Sequence, residues 1–128
     1  MKNAQDSIPG VKQHPKKKGF ILEKLRKILE NPKGKLIAVD LDGTLCIGEW
    51  WGTEEEPKPI KEMIDYVNSL YNKGGIIIIY TARDPDICRP TMAWLDKFGV
   101  CYHGVMMKKK PGADVYIDDK AINPKELL

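Results

Sequence analysis

Two aspartates, one residue apart, stand where an apolar stretch of the sequence ends, at Asp40 and Asp42, and Gly43 and Thr44 follow directly. An exposed turn would explain Asp42 and Gly43, but it leaves Asp40 unexplained. Two carboxylates at this spacing can share a displacement reaction. One attacks as the nucleophile, and the other gives a proton to the leaving group and takes one from water. The Gly43-Thr44 turn could hold phosphoryl oxygens, so the stretch predicts phosphoryl transfer.

Three further segments bring polar side chains to the ends of apolar stretches. They are Thr81 with Ala82 and Arg83, the lysines Lys108, Lys109 and Lys110, and the acidic pair Asp118 and Asp119. A threonine hydroxyl and a lysine can bind phosphate oxygens, and Arg83 could reach an anionic group of a substrate. Two acidic pairs that meet would repel each other unless a cation lay between them. Carboxylate oxygens suit Mg²⁺, so the sequence predicts a magnesium site that also binds a phosphorylated substrate.

Alternating strand and helix patterns predict the scaffold that positions these residues. The predicted helices lie at about 19–30, from Pro59 to Gly74, and from near Pro90 to Gly99, and the predicted strands are KLIAVDL, GIIIIYT, VCYHGVMM and DVYID. This order is typical of an α/β protein with a parallel sheet. Ligands bind beyond the carboxyl ends of the strands in such sheets, where the polar residues above are expected.

Four of these stretches resemble the motifs of the haloacid dehalogenase-like (HAD) superfamily, in that family's order. AVDLDGTL resembles motif I, IIIIYT resembles motif II, a lysine before the last strand corresponds to motif III, and DVYIDD resembles the acidic motif IV. Together they span residues 36–119, about two-thirds of the chain. The resemblance implies a three-layer, Rossmann-like parallel sheet flanked by helices, and a phosphatase that uses Mg²⁺ and an aspartyl-phosphate intermediate.

The same resemblance implies a role for each matching residue. Asp40 would be the nucleophile and a Mg²⁺ ligand, while Asp42 would be the general acid and base and would bind the metal through its backbone carbonyl. Thr81 would bind the phosphate. Asp118 and Asp119 would complete the metal site, with Asp119 as the direct ligand.

The motif III lysine is less well determined, because three lysines follow one another. Lys110 precedes Pro111, as the corresponding lysine often does in similar proteins, and it is the first choice. Lys108 is the alternative.

The spacing of the motifs leaves no room for a cap domain. Only 38 residues separate Asp42 from Thr81, and 28 separate Thr81 from Lys110. The open site would accept a large substrate or be closed over a small one by a second copy of the chain. The C-terminal half is similar to small capless HAD proteins linked to capsule or lipopolysaccharide biosynthesis and to phage-type members, which implies a sugar phosphate or similar metabolite. Trp50 and Trp51 could stack on it.

Length and charge predict one domain with a basic extension. Of the 128 residues, residues 1–18 are expected to form a flexible basic arm, and 19–128 a single domain whose catalytic core begins at about residue 35. Residues 1–35 carry a charge of +7, against −4 for the remainder. Three cysteines in no metal-binding pattern, no secretory apolar segment and no membrane-length apolar run predict a cytoplasmic protein.

Two other functions remain open from the sequence. The basic arm would suit a nucleic-acid end (3'-) phosphatase, which resembles the phosphatase domain of polynucleotide kinases and would bind DNA in a salt-dependent way. A catalytically silent module that kept the HAD fold for binding is the second alternative.

Overall fold

The computed structural model describes residues 22–48 and 55–128 and shows a four-stranded, wholly parallel sheet. The strands lie in the order β3-β2-β1-β4. The elements along the chain are α1 (Glu23–Glu30), β1 (Leu36–Asp40), α2 (Lys61–Asn72), β2 (Ile76–Thr81), α3 (Cys88–Lys97), β3 (Gly104–Met107) and β4 (Val115–Ile117), with 3₁₀ turns at Pro85–Ile87 and Pro124–Glu126. The predicted α/β fold with a parallel sheet is confirmed.

The two central strands are the most apolar because both of their edges are paired and one face lies under helices. Alternate residues of β1 and β2 point to the face that α2 and α3 cover. The buried core on this face consists of Ile37, Val39, Ile77 and Ile79 from the sheet, with Ile64, Val67, Leu70, Trp94 and Leu95 from the helices. Leu29 of α1 packs against the same core. The apolar face predicted for each helix is therefore used in packing.

The connection from β3 to β4 has a different course. It runs from one edge strand, across β2 and β1, to the other edge strand in only seven residues, 108–114. A right-handed crossover that runs back across the sheet passes over the face opposite to the earlier helices. Tyr116 on that face donates a hydrogen bond to the carbonyl of Pro111 (2.7 Å), and the amine of Lys110 lies over its ring. The segment with the three lysines, 108–110, thus lies over the sheet near the carboxyl end of β1.

The described residues bear on some of the predicted features, and other predicted features lie outside them. Helix α1 begins at Glu23, and the predicted basic arm 1–18 lies outside the described residues. The described parts of the connections from β1 to β2 and from β2 to β3 hold only α2, α3 and short turns, and no cap domain. Residues 49–54, with Trp50 and Trp51, also lie outside the described part. No helix in 22–48 or 55–128 is long and apolar enough to cross a bilayer.

Candidate active site

Strand register places the acidic residues side by side. Asp40 of β1 pairs with Tyr80 of β2, and Val39 pairs with Ile117 of β4, so Asp118 follows at the level of Asp40. Register partners in a sheet point to the same face. Val39 points into the helix-covered core, so Asp40, Tyr80 and Asp118 point to the other face. The sheet itself therefore brings two sequence-distant carboxylates together at its carboxyl end.

A third carboxylate completes an acidic cluster. Asp40, Asp118 and Asp119 each offer a carboxylate oxygen, and these three atoms lie within 4.8 Å of one another. Burial, a hydrogen bond with the side chain of Asp119 and the negative charge of Asp118 raise the pKa of Asp40 to about 7. Three like charges this close favour binding of a cation, and an all-oxygen donor set fits Mg²⁺. Among residues 22–48 and 55–128, these three side chains are the group that could hold a divalent metal.

Gly43 makes this cluster sterically possible. Its φ of +88° lies in the left-handed region, and a Cβ built on it would overlap the carboxylate of Asp119. Thr44 is buried, and its hydroxyl oxygen accepts a hydrogen bond from the backbone N–H of Asp119 (3.1 Å) and lies 3.4 Å from Asp40 Oδ2. The Gly43-Thr44 pair thus joins the end of β1 to the end of β4. The predicted contacts of Gly43 and Thr44 with phosphate stay predictions.

The second carboxylate of the pair has a separate environment. Asp42 lies in a bidentate ion pair with Arg83, whose Nη2 is 2.6 Å from Oδ1 and whose Nε is 3.0 Å from Oδ2. Thr81 Oγ1 and Cys46 Sγ lie 3.4 and 3.5 Å from Asp42. Burial and the negative charge of Asp42 raise the pKa of Cys46 to about 12, so the thiol keeps its proton.

Tyr80 is a site residue that the sequence reasoning missed. It is buried, lines the cavity, and donates a hydrogen bond from its hydroxyl to Asp118 Oδ2. Burial and the carboxylate of Asp118 raise the pKa of the Tyr80 phenol. The apolar pattern of β2 predicts a buried strand, in which Tyr80 is expected to be a core residue and not a site residue. Counting alternate positions from Asp40 across the parallel sheet would have identified it.

Predicted residues of all four segments line one open cavity of about 440 Å³, whereas the predicted site residues Gly43, Thr44 and Asp119 are not among its lining residues. Its lining consists of Asp40, Asp42, Tyr80, Thr81, Ala82, Arg83, Lys108, Lys109, Lys110, Asp118 and Lys120. Lys108 is the one described non-glycine residue with a positive φ (59°), and its amine is 3.3 Å from Asp84. Lys110 Nζ instead lies 4.2 Å from the centre of the Tyr116 ring, on the face to which Asp40 points. Both lysines thus lie within reach of the cavity.

A family model for haloacid dehalogenase-like hydrolases matches residues 37–127, a range that contains all four segments of the site. The chain belongs to this family. The resemblance read from the sequence is therefore confirmed, and the parallel sheet with its acidic carboxyl end is the HAD-like fold.

Several solved structures resemble this chain, and the first two below share its fold. A structural-genomics target from Vibrio cholerae is 32% identical to this HAD-like chain with a TM-score of 0.51, over 73% of this chain and 86% of that one. A conserved protein from Bacteroides thetaiotaomicron shares the fold, with a TM-score of 0.57 and 19% identity over 69% of this chain and 78% of that one. A 3-deoxy-D-manno-octulosonate 8-phosphate phosphatase from Moraxella catarrhalis, solved with magnesium and phosphate, is 20% identical with a TM-score of 0.40, over 66% of this chain and 48% of that one. No curated protein matches the chain.

The contact between Gly43 and Asp119 gives a testable prediction. We expect Gly43→Ala to lower the free energy of unfolding by more than Gly34→Ala, as measured by urea denaturation. Both glycines have positive φ, +88° at Gly43 and +73° at Gly34. Backbone strain from an added Cβ should therefore lower the free energy of unfolding by about 1 kcal/mol in each variant. A Cβ at Gly34 has no atom within 4 Å, whereas one at Gly43 displaces Asp119. Equal losses in the two variants would contradict the close approach.

Proposed function

We propose that this HAD-like protein is a Mg²⁺-dependent phosphatase that hydrolyses a small phosphomonoester through an aspartyl-phosphate on Asp40. The observation that carries the proposal is the grouping of Asp40 with Asp118 and Asp119, with Asp42 two residues after Asp40 and lining the same cavity. One carboxylate in this arrangement can attack while its neighbour two residues on handles protons. The family membership supports a hydrolase.

The reaction has two displacement steps. In the first, a carboxylate oxygen of Asp40 attacks phosphorus, the bond from phosphorus to the ester oxygen breaks, and Asp42 gives that oxygen a proton. In the second, water attacks the phosphorus of the aspartyl-phosphate, Asp42 takes a proton from that water, the bond from phosphorus to the Asp40 oxygen breaks, and inorganic phosphate leaves. Asp40 and Asp42 return to their starting states.

The other residues of the cavity would stabilise charge on the phosphoryl group. A Mg²⁺ ion held by Asp40, Asp118, Asp119 and the backbone carbonyl of Asp42 would neutralise negative charge on the phosphate oxygens. Thr81, Ala82 and a lysine would contribute donors to those oxygens. Tyr80 would hold Asp118 in its orientation through their hydrogen bond.

The size of the cavity supports a small substrate. Its volume of about 440 Å³ is in the range of small-molecule sites, and a sugar phosphate would fit it. A second copy of the chain that closes the open site, and a location in the cytoplasm, stay predictions. A 3'-phosphorylated oligonucleotide is the probe for the nucleic-acid alternative.

The reaction is tested by a panel of phosphorylated metabolites with Mg²⁺, with release of inorganic phosphate as the readout. We expect Asp40→Asn to reduce kcat at least about 1,000-fold, because the amide cannot act as the nucleophile. Asp65→Asn is the matched control, since Asp65 is exposed and pairs with Lys61 on α2. Unchanged hydrolysis by Asp40→Asn would show that Asp40 is not the nucleophile. Preference for the 3'-phosphorylated oligonucleotide over every metabolite would favour the alternative function.

Metal binding is tested without turnover, by thermal unfolding and titration calorimetry. A ligand that binds only the folded state stabilises it by about 2.7 kcal/mol at 100 times its Kd, so Mg²⁺ should raise the Tm of the wild type. Asp119→Asn removes one negative charge from the cluster and should reduce this rise and the measured affinity. Asp65→Asn should behave like the wild type. An Asp119→Asn variant that binds Mg²⁺ as tightly as the wild type would exclude Asp119 as a ligand.

The choice of motif III lysine is also testable. We expect Lys110→Ala to lower kcat about 100-fold, the usual loss for one charge-stabilising donor, because Lys110 lies on the face to which Asp40 points. Lys108→Ala should have a smaller effect, since the Lys108 amine lies at the exposed Asp84. Steady-state kinetics with the best substrate of the panel measure both. The opposite ranking would assign the role to Lys108.

A further inference from the structure

Arg83 is a buried charged residue in a place where the sequence suggested a substrate contact. Its side chain is 2% exposed, although it follows the end of β2 at the rim of the cavity. Three of its guanidinium N–H groups have defined acceptors in the protein. Nε and Nη2 donate to the two oxygens of Asp42, and Nη1 donates to Thr91 Oγ1 at 3.0 Å.

The buried ion pair of Arg83 and Asp42 is a poor means of stabilising the fold. Removing a guanidinium and a carboxylate from water costs about as much as their attraction returns, and apolar residues of similar size often stabilise a protein equally well. A bidentate arginine pair does provide a fixed direction, because its planar fork matches both oxygens of a carboxylate at once. The arrangement therefore favours a role in holding the Asp42 carboxylate in one orientation.

Arg83 is itself held in place by a second hydrogen bond. Thr91 of α3 is completely buried, and its hydroxyl donates to the carbonyl of Ile87 (2.7 Å) while it accepts from Arg83. The backbone N–H of Arg83 also donates to Thr81 Oγ1 (3.1 Å). The direction of the guanidinium is thus fixed from the first part of α3, by the side chain of Thr91.

We infer that Arg83, itself held by Thr91, is a positioning residue that orients Asp42 for proton transfer. This inference rests on the proposed function, since it concerns the residue to which that function gives the proton-transfer role. Asp42 must present an oxygen to the leaving group and later to the attacking water. A carboxylate that rotates freely would be oriented toward the leaving group or the attacking water for less of the time.

This role makes a prediction that separates it from a purely structural one. Cleavage of an alkyl phosphate requires a proton on the departing oxygen, whereas p-nitrophenolate leaves without one. The first displacement step, which kcat/KM reports, should therefore depend on Arg83 for the alkyl phosphate and much less for p-nitrophenyl phosphate. The second step requires Asp42 for both substrates.

The experiment measures kcat/KM for glycerol 2-phosphate and for p-nitrophenyl phosphate with Mg²⁺, in the wild type and in Arg83→Lys, Arg83→Met and Thr91→Val. We expect the Arg83 variants to lose about 100-fold with glycerol 2-phosphate, as general acid catalysis contributes about 10² to 10⁴. Their loss of kcat/KM with p-nitrophenyl phosphate should be less than about tenfold. Because the second step still requires Asp42, these variants should release a burst of p-nitrophenol close to one per enzyme molecule. Thr91→Val should show the same selectivity to a smaller degree. Arg89→Lys, an exposed arginine of α3, is the matched control.

The possible outcomes are distinguishable. Equal losses with both substrates would assign Arg83 a structural role and overturn the inference. A rise in KM for both substrates at constant kcat would make Arg83 a substrate-binding residue, which also overturns it. If the Arg83 variants do not fold, the selectivity of Thr91→Val decides. A wild type that hydrolyses neither substrate and no member of the metabolite panel would contradict the proposed function, and the inference with it.

Discussion

The parallel pairing of β1 with both β2 and β4 is the constraint on which the site depends. Residues 36–40 and the strands beside them are held in a register that places Asp40, Tyr80 and Asp118 at one level on one face. A shift of one residue would turn each of these side chains to the opposite face. The buried residues Ile37 and Val39 prevent that shift, because it would remove them from the core. Apolar burial thus fixes the geometry of a charged site.

Short connections then determine what reaches this level of the sheet. The segment 108–114 crosses the sheet without a helix, so the lysines after β3 line the same cavity as Asp40, Asp42 and Asp118. Gly43 permits the approach of Asp119, and Thr44 holds the backbone of Asp119 in place. The cluster of like charges is therefore maintained by steric fit and hydrogen bonds around it. A divalent cation would offset the remaining repulsion.

Much of this arrangement could be predicted from the sequence because it follows local rules. Apolar periodicity predicted the four strands and three α-helices found in the described part of the chain, and the ends of β1, β2 and β4 carry the expected aspartates and threonine. The partners of Arg83 could not be predicted, since Asp42 and Thr91 meet it only through tertiary packing of β1 and α3. Tyr80 was overlooked because a tyrosine in an apolar strand is usually a core residue. The choice between Lys108 and Lys110 could not be made from the sequence, because no local signal marks the positive φ of Lys108.

The structure also explains how two aspartates only two residues apart can serve different purposes. Successive charged positions at the end of β1 meet different neighbours: Asp40 faces two further carboxylates, whereas Asp42 faces a guanidinium. The two carboxylates therefore occupy unlike electrostatic environments, and a cation bound among Asp40, Asp118 and Asp119 would keep the proposed nucleophile ionised. Arg83 contributes to this separation by neutralising Asp42 within the protein, so that the cation need balance only Asp40, Asp118 and Asp119. A neutral residue in place of Arg83 would leave the Asp42 carboxylate without its guanidinium partner, at the rim where the three carboxylates of the cluster already repel one another.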